Sequence, residues 1–267
     1  MAEPHIRVDD LTMAYGNYVV QQALSFTVDR RDVFIIMGGS GCGKSTLLRH
    51  LIGLQKPAKG TVRYGDLDLW SDDAGTMDCI RRRFGILYQS GALWSSMTLA
   101  ENIGIPLAEY TDLKPQQIRE AASLKLALVG LSGFEDYYPS EISGGMKKRA
   151  ALARAMALDP EILFLDEPSA GLDPISAYML NKLILELRGS LGATVVVITH
   201  DLASIFAIGN NSVFLDADSK TMIASGDPKR LRDECENATV RNFLTGGANR
   251  AGSAGDAKAQ RKRGQAR

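Results

Sequence analysis

One stretch, Gly38-Gly39-Ser40-Gly41-Cys42-Gly43-Lys44-Ser45-Thr46, constrains this chain more than any other. It follows a short apolar run, Val33-Phe34-Ile35-Ile36-Met37, and leads into Ser45 to Leu54, where the apolar residues fall at helical spacing closed by Gly53. Strand, glycine loop and helix in that order let the backbone curl until its N–H groups point inward at a β- and γ-phosphate, backed by the positive end of the helix. Lys44 adds a mobile positive charge and Ser45 a hydroxyl suited to Mg²⁺. The stretch therefore predicts a nucleotide site.

The rest of the pattern fits an α/β fold. Phe84 to Tyr88, Ile162 to Leu165 and Thr194 to Thr199 are compact, all-apolar runs of the kind that parallel strands covered on both faces require, so a parallel sheet with flanking helices is expected. Ile6 to Asp10, Val19 to Val28 and Thr61 to Tyr64 predict shorter strands of an antiparallel β edge. Leu99 to Leu107, Pro115 to Val129 and Gly144 to Leu158 favour helix, with Pro115 in a first turn, and predict an inserted helical lobe over about 95–160. Beyond it, Val213 to Leu215 and Met222 to Ile223 read as strands and Pro228 to Glu234 as a helix. No internal repeat is visible.

Composition sets the outer bounds. A chain of 267 residues, 45% hydrophobic and 23% charged, can bury a substantial core, and one domain over 1–245 is expected. Lys+Arg and Asp+Glu stand at 31 each, so no global field draws the chain to nucleic acid, which is not an expected partner. Three cysteines without paired or metal-like spacing predict reduced thiols; Cys42 reads as a small residue that fits its loop, with thiolate chemistry as the alternative. Met1 to Val8 lacks the apolar region of a secretory signal, and no segment reaches the ~20 apolar residues of a membrane span, so any membrane role is expected to require a partner. The end of the chain, 246–267, is basic and poor in apolar residues; disorder in isolation is expected, either as a solvated tail or as a segment that orders on a partner or near anionic headgroups.

Four further features carry chemistry. Asp166 closes an apolar strand, where a carboxylate can hold Mg²⁺ through water, and Glu167 beyond it can orient or deprotonate an attacking water; alone the pair would read as two charges capping a strand before Pro168. Gln89 follows Phe84 to Tyr88 and offers an amide that can reach both Mg²⁺ and that water. His200 follows Val195-Val196-Val197-Ile198-Thr199, at the strand end where open α/β sheets bind ligands. Ser143-Gly144-Gly145 opens the last lobe helix and makes a second anion site out of a hydroxyl and free N–H groups. That site cannot readily fold back on its own phosphate loop, so it predicts completion of the site of another copy.

In this order the residues resemble the ABC ATPase family over roughly Ile6 to Thr245. The resemblance implies a P-loop NTPase with a RecA-like parallel core, an antiparallel β subdomain and a helical lobe. It also implies roles: Tyr15 stacking on adenine, Gly38 to Thr46 as Walker A, Gln89 as the Q-loop, Ser143 to Lys147 as the signature, Asp166 and Glu167 as Walker B and base, Asp173 in the D-loop Gly171-Leu172-Asp173, and His200 as the switch histidine. ATP and Mg²⁺ are the implied ligands, and a second copy the implied partner. One departure is Met146, where the family's signature has Gln. The stretches Tyr88 to Trp94 and Ser143 to Ala155 look most like the ATPases of MCE-type (Mla) phospholipid transport systems. That likeness implies a membrane permease (MlaE-like), an MCE-domain protein (MlaD-like) and a small STAS-domain protein (MlaB-like), with this chain at the cytoplasmic face of the inner membrane. Other cassette importers or exporters, a non-transport cassette protein and a P-loop kinase are the rival readings; the last explains neither Ser143-Gly144-Gly145 nor Glu167 beside Asp166.

Overall fold

In the computed structural model, which describes residues 4–71 and 73–247, the chain begins with a hairpin. Strands β1 (Ile6–Tyr15) and β2 (Tyr18–Val28) pair antiparallel around Gly16 and Asn17, with Tyr15 opposite Tyr18. Gly16 takes φ +57, the left-handed conformation that a two-residue hairpin turn demands. β1 runs on to Tyr15 instead of stopping at Asp10, because Asp10 sits in a register shift at φ 46 and pairing resumes at Leu11. β3 (Val33–Gly38), buried along its whole length, feeds the glycine loop and α1 (Lys44–Leu51). That helix stops short of Leu54: Ile52 caps it and Gly53 turns left-handed at φ +74.

β4 (Lys59–Tyr64) returns to β1, β5 (Leu67–Asp68) follows it, and α2 (Ala74–Arg81), capped by Asp73, leads to β6 (Phe84–Leu87). The lobe then comprises α3 (Leu99–Tyr110), α4 (Pro115–Leu128) and α5 (Gly144–Ala155). Thr98 and Glu101 start α3 with a capping box, and α5 ends at Ala155, before the expected Leu158. The chain re-enters the core as β7 (Ile162–Asp166), α6 (Pro174–Leu191), β8 (Thr194–Ile198), α7 (Leu202–Ile208), β9 (Asn211–Asp216), β10 (Thr221–Ser225), α8 (Pro228–Glu234) and α9 (Ala238–Leu244). Of the expected tail, 248–267 lies outside the described residues.

These strands form a four-stranded antiparallel sheet, β2-β1-β4-β5, and a six-stranded sheet, β10-β9-β3-β8-β7-β6, whose strands are parallel except for β10. The all-apolar parallel strands have a plain cause: both faces are covered. Phe34, Ile36, Phe164 and Val196 pack toward the antiparallel sheet and α1, while Ile35, Met37, Leu165 and Val197 pack toward the lobe. Each fully buried Leu, Ile or Phe in these layers contributes about 1.5–3 kcal/mol. The lobe helix α5 sits directly on β6, since a Cβ on Gly85 would lie 1.8 Å from the Ala155 carbonyl oxygen. That close approach holds the end of α5 in a set place relative to the sheet.

Candidate functional site

The glycine loop is shaped by what lies behind it. Gly38, at φ +149, has no room for a side chain: a Cβ would meet the Leu215 carbonyl oxygen at 2.3 Å and Cys42 Sγ at 2.8 Å. Gly43 at φ +96 would press a Cβ onto Val20 at 2.7 Å, and Gly41 is left-handed at φ +77. Around these glycines the Lys44 ammonium donates to the carbonyls of Gly38 (2.9 Å) and Gly39 (2.8 Å). Gln21, fully buried on β2, braces the loop by donating to the Cys42 carbonyl (2.8 Å) and the Asp216 carbonyl (2.7 Å). Cys42 is buried, and burial pushes its thiol up against the opposing pull of Lys44, the state of an unreactive small hydrophobe. On the open side Tyr15, Lys44, Ser45 and Thr46 line one groove together with Tyr18. The Tyr15 ring is half exposed and its hydroxyl accepts from Arg49 (3.4 Å), leaving a flat face free on that groove.

The parallel register aligns the strand ends. β8 pairs with both β3 and β7, and β7 with β6, so Asp166, Gln89 and His200 all come to the carboxyl edge that carries the glycine loop. His200 and Glu167, expected separately, are in contact: Nδ1 lies 2.7 Å from Oε1, while Thr199 donates to Oε2 at 3.2 Å. Glu167 holds φ 46, a strained angle for a side-chain-bearing residue that costs about 1–2 kcal/mol. Its N–H donates to Ile198 (2.8 Å) and its carbonyl accepts from Ala170 (3.1 Å), which keeps it there. Next to it, Asp166 Oδ1 is buried with no hydrogen-bond partner among the described residues. Burial raises the Asp166 carboxyl above its usual range, Glu167 adds to this, and Lys148, Lys44 and Arg49 oppose it. An orphaned carboxylate oxygen in the field of Lys44, on the sheet edge that carries the glycine loop, suits a hydrated divalent cation.

The Ser143-Gly144-Gly145 turn lies elsewhere. Ser143 caps α5 by accepting from Met146 (3.3 Å), and with Gly145, Met146 and Ser176 it lines a second groove that shares no lining residue with the first. Met146 packs against the apolar core of the lobe, a contact that a polar Gln would not share. Asp173 caps α6, its carboxylate accepting from Ile175 and Ser176 (3.0 Å each). One copy thus keeps its phosphate loop and its Ser-Gly-Gly turn apart.

Residues the linear pattern did not single out complete the site. Gln21, Thr199 and Tyr18 are three; Lys148 is the most telling. Its ammonium, buried on α5, donates to the carbonyls of Gln89 and Glu167, the latter at 3.2 Å, and burial lowers its pKa while Asp166 and Glu167 push the other way. The only signal in sequence was a Lys at a helix position facing inward, which burial alone makes informative.

Comparison with known proteins agrees with this geometry. A family model described as ABC transporter matches residues 21–170. A probable ribonucleotide transport ATP-binding protein, mkl, of Mycobacterium tuberculosis is 39% identical over 90% of the chain, which spans 66% of that relative's length. The intermembrane phospholipid transport system ATP-binding proteins MlaF of Escherichia coli and Haemophilus influenzae are 39% and 37% identical over 89% and 90% of the chain, and 87% and 90% of their own lengths. Among solved structures, the dimeric post-hydrolysis state of the ATP-binding cassette MJ0796 bound to ADP and Pi superposes with a TM-score of 0.75 at 27% identity, covering 83% of this chain and 98% of that one. cbiO1 from Clostridium perfringens, part of the transporter complex cbiONQ, superposes at 0.79 and 26% identity over 95% of this chain and 99% of its own. With a phosphate loop, paired strand-end carboxylates and a separate Ser-Gly-Gly turn, and with relatives of this similarity over nearly all of its length, the chain belongs to the ABC transporter ATP-binding family.

Proposed function

We propose that this chain is the ATP-hydrolysing subunit of a membrane transporter that moves phospholipid, working as a pair of copies at the cytoplasmic face of the inner membrane. The observation that carries the reading is the separation of the two grooves: Lys44 and Ser45 lie on one, Ser143 and Gly145 on the other. Two copies arranged head to tail join one groove of each kind, so the hydroxyl and free N–H groups of one turn meet the γ-phosphate cradled by the other copy's Lys44. Mg²⁺ held by Ser45, Gln89 and, through water, Asp166 would neutralise charge on the β- and γ-phosphates. Glu167, held by Thr199 and His200, orients or deprotonates the attacking water, and His200 stands next to it to meet the γ-phosphate. Closure on ATP and reopening after hydrolysis bias a two-state equilibrium that the attached permease converts into transport.

The phospholipid assignment rests on the MlaF likeness, whose relatives match this chain over most of their own length. The partners that follow are an MlaE-like permease, an MlaD-like MCE-domain protein and an MlaB-like STAS-domain protein. The mycobacterial relatives carry a name for ribonucleotide transport, which supplies a second cargo reading to test. Affinity purification of the tagged full-length chain from native membranes, with identification of copurifying proteins and extracted lipids, separates the two. An MCE-domain protein and bound phospholipid are expected. A periplasmic solute-binding protein, or ATPase stimulation by ribonucleotide with no response to phospholipid, would replace the lipid reading.

A further inference from the structure

The helix capped by Ser143 also carries Lys148, and Lys148 reaches the strand-end residues Gln89 and Glu167 of the same copy. Its ammonium is buried and donates to two backbone carbonyls, those of Gln89 and Glu167. These two residues lie just past the last paired register of the parallel strands β6 and β7, Leu87 opposite Leu165, where ladder hydrogen bonds no longer tie the strands together. Arg154, further along the same helix, grips the same loop through the carbonyls of Ala92 (2.6 Å) and Gly91 (3.0 Å). A displacement of α5 therefore cannot leave Gln89 and Glu167 where they were. Gly85 leaves no slack between β6 and the far end of α5 at Ala155.

We propose that Lys148 is a positioning residue that couples the two ATP pockets of the paired molecule. This rests on the reading above, in which Ser143 and Gly145 of one copy meet the nucleotide held by the other. Docking of the turn on the partner's nucleotide then fixes α5, and Lys148 passes that position to Gln89 and Glu167, which serve the copy's own nucleotide. Occupancy of one pocket sets the geometry of the other through a single buried ammonium. Its two acceptors are backbone carbonyls, so its hold on the loop and on Glu167 does not depend on the side chains that do the chemistry. Arg154 is the second strap on the loop, but it does not touch Glu167 and cannot carry the link alone.

The test uses the transporter complex purified through a tag on the full-length chain, with phosphate release followed against Mg·ATP concentration. Lys148→Met keeps the length of the side chain and removes the donors. Its expected result is a kcat lower by on the order of tenfold with KM within about threefold, because a misplaced base and loop slow the chemical step more than they weaken binding. The Hill coefficient for ATP is expected to fall from near two toward one, as two linked pockets become independent. Lys148→Gln, which restores a donor without the charge, is expected to recover both the Hill coefficient and most of kcat. A Lys148→Met complex with parental kcat and Hill coefficient overturns the proposal. So does a Lys148→Gln protein that folds yet loses nucleotide binding and turnover together, which marks Lys148 as a strut. Parallel measurement of Glu167→Gln keeps the two readings distinct: full turnover there removes the catalytic assignment itself, whereas an inactive Glu167→Gln beside a parental Lys148→Met removes only the coupling.

Discussion

Replacing Glu167 by Gln separates chemistry from stability in this molecule. The side chain makes two contacts, with His200 at 2.7 Å and Thr199 at 3.2 Å. His200 is 67% exposed in that pair, and a polar contact with so wet a partner is worth under about 1 kcal/mol. The Gln amide oxygen still accepts from Thr199 or His200, so the loss of fold stability should stay below about 1 kcal/mol, a melting shift of only about 2–4 °C for a domain of this size. Removal of a general base, by contrast, costs about 10²–10⁴ in rate, equivalent to about 3–5 kcal/mol in the barrier. The chemical loss thus exceeds the structural one several-fold. Phosphate release under saturating Mg·ATP reads the first quantity, thermal melting the second, and binding of a fluorescent ATP analogue shows whether the cradle survives. ATP-dependent pairing on a sizing column should be stronger in the variant, since the closed state no longer resolves. Phosphate release within about threefold of the parent, with binding intact, would refute the assignment of Glu167 as the base. Loss of ATP binding together with a collapse in melting temperature would refute the premise that its role is local.

Two further outcomes follow from the geometry. Gly38→Ala places a methyl 2.3 Å from the Leu215 carbonyl oxygen at φ +149, so overpacking and backbone strain should lower the unfolding free energy read from denaturant titration by about 2–4 kcal/mol; Gly39→Ala, whose Cβ meets nothing within 4 Å, should stay within about 0.5 kcal/mol in the same assay. Acid should weaken the fold through two buried histidines. Burial lowers both His5 and His50 below the ordinary 6.5; His50 donates from Nδ1 to the Gln55 carbonyl (2.6 Å), its Nε2 has no partner among the described residues, and Arg30 reinforces the shift at His5 against Glu161. The unfolded chain then binds more protons than the native one between the lowered values and 6.5, so stability is full above 6.5 and falls as pH drops below it. Denaturant midpoints at pH 7.5 and 5.5 check the sign, and a His5→Asn, His50→Gln double variant should flatten the slope.

Much of this molecule is legible in its sequence because the information there is local. The glycine loop works through backbone angles within nine consecutive residues, and the parallel strands announce themselves as uninterrupted apolar runs. The linear pattern leaves out helices α6 and α7 although Asp173 before Pro174 and Asp201 before Leu202 are ordinary start signals, because Asp173 reads as part of the D-loop and His200 draws attention from its neighbour. Boundaries slipped where capping decided them, as at Ile52 and Gly53.

What linear order determined, then, was the identity of the candidate groups for phosphate and water, since each needs only its own strand end or loop to be placed. Tertiary structure alone decided how they meet. The contact of Glu167 with His200 spans 33 residues, the reach of Lys148 to Gln89 spans 59, and the brace from Gln21 to Asp216 spans 195. No periodicity encodes such pairs, because they exist only after both faces of the sheet have been covered and water has been expelled; burial then turns a lysine, a glutamine and an orphaned aspartate oxygen into parts of one site.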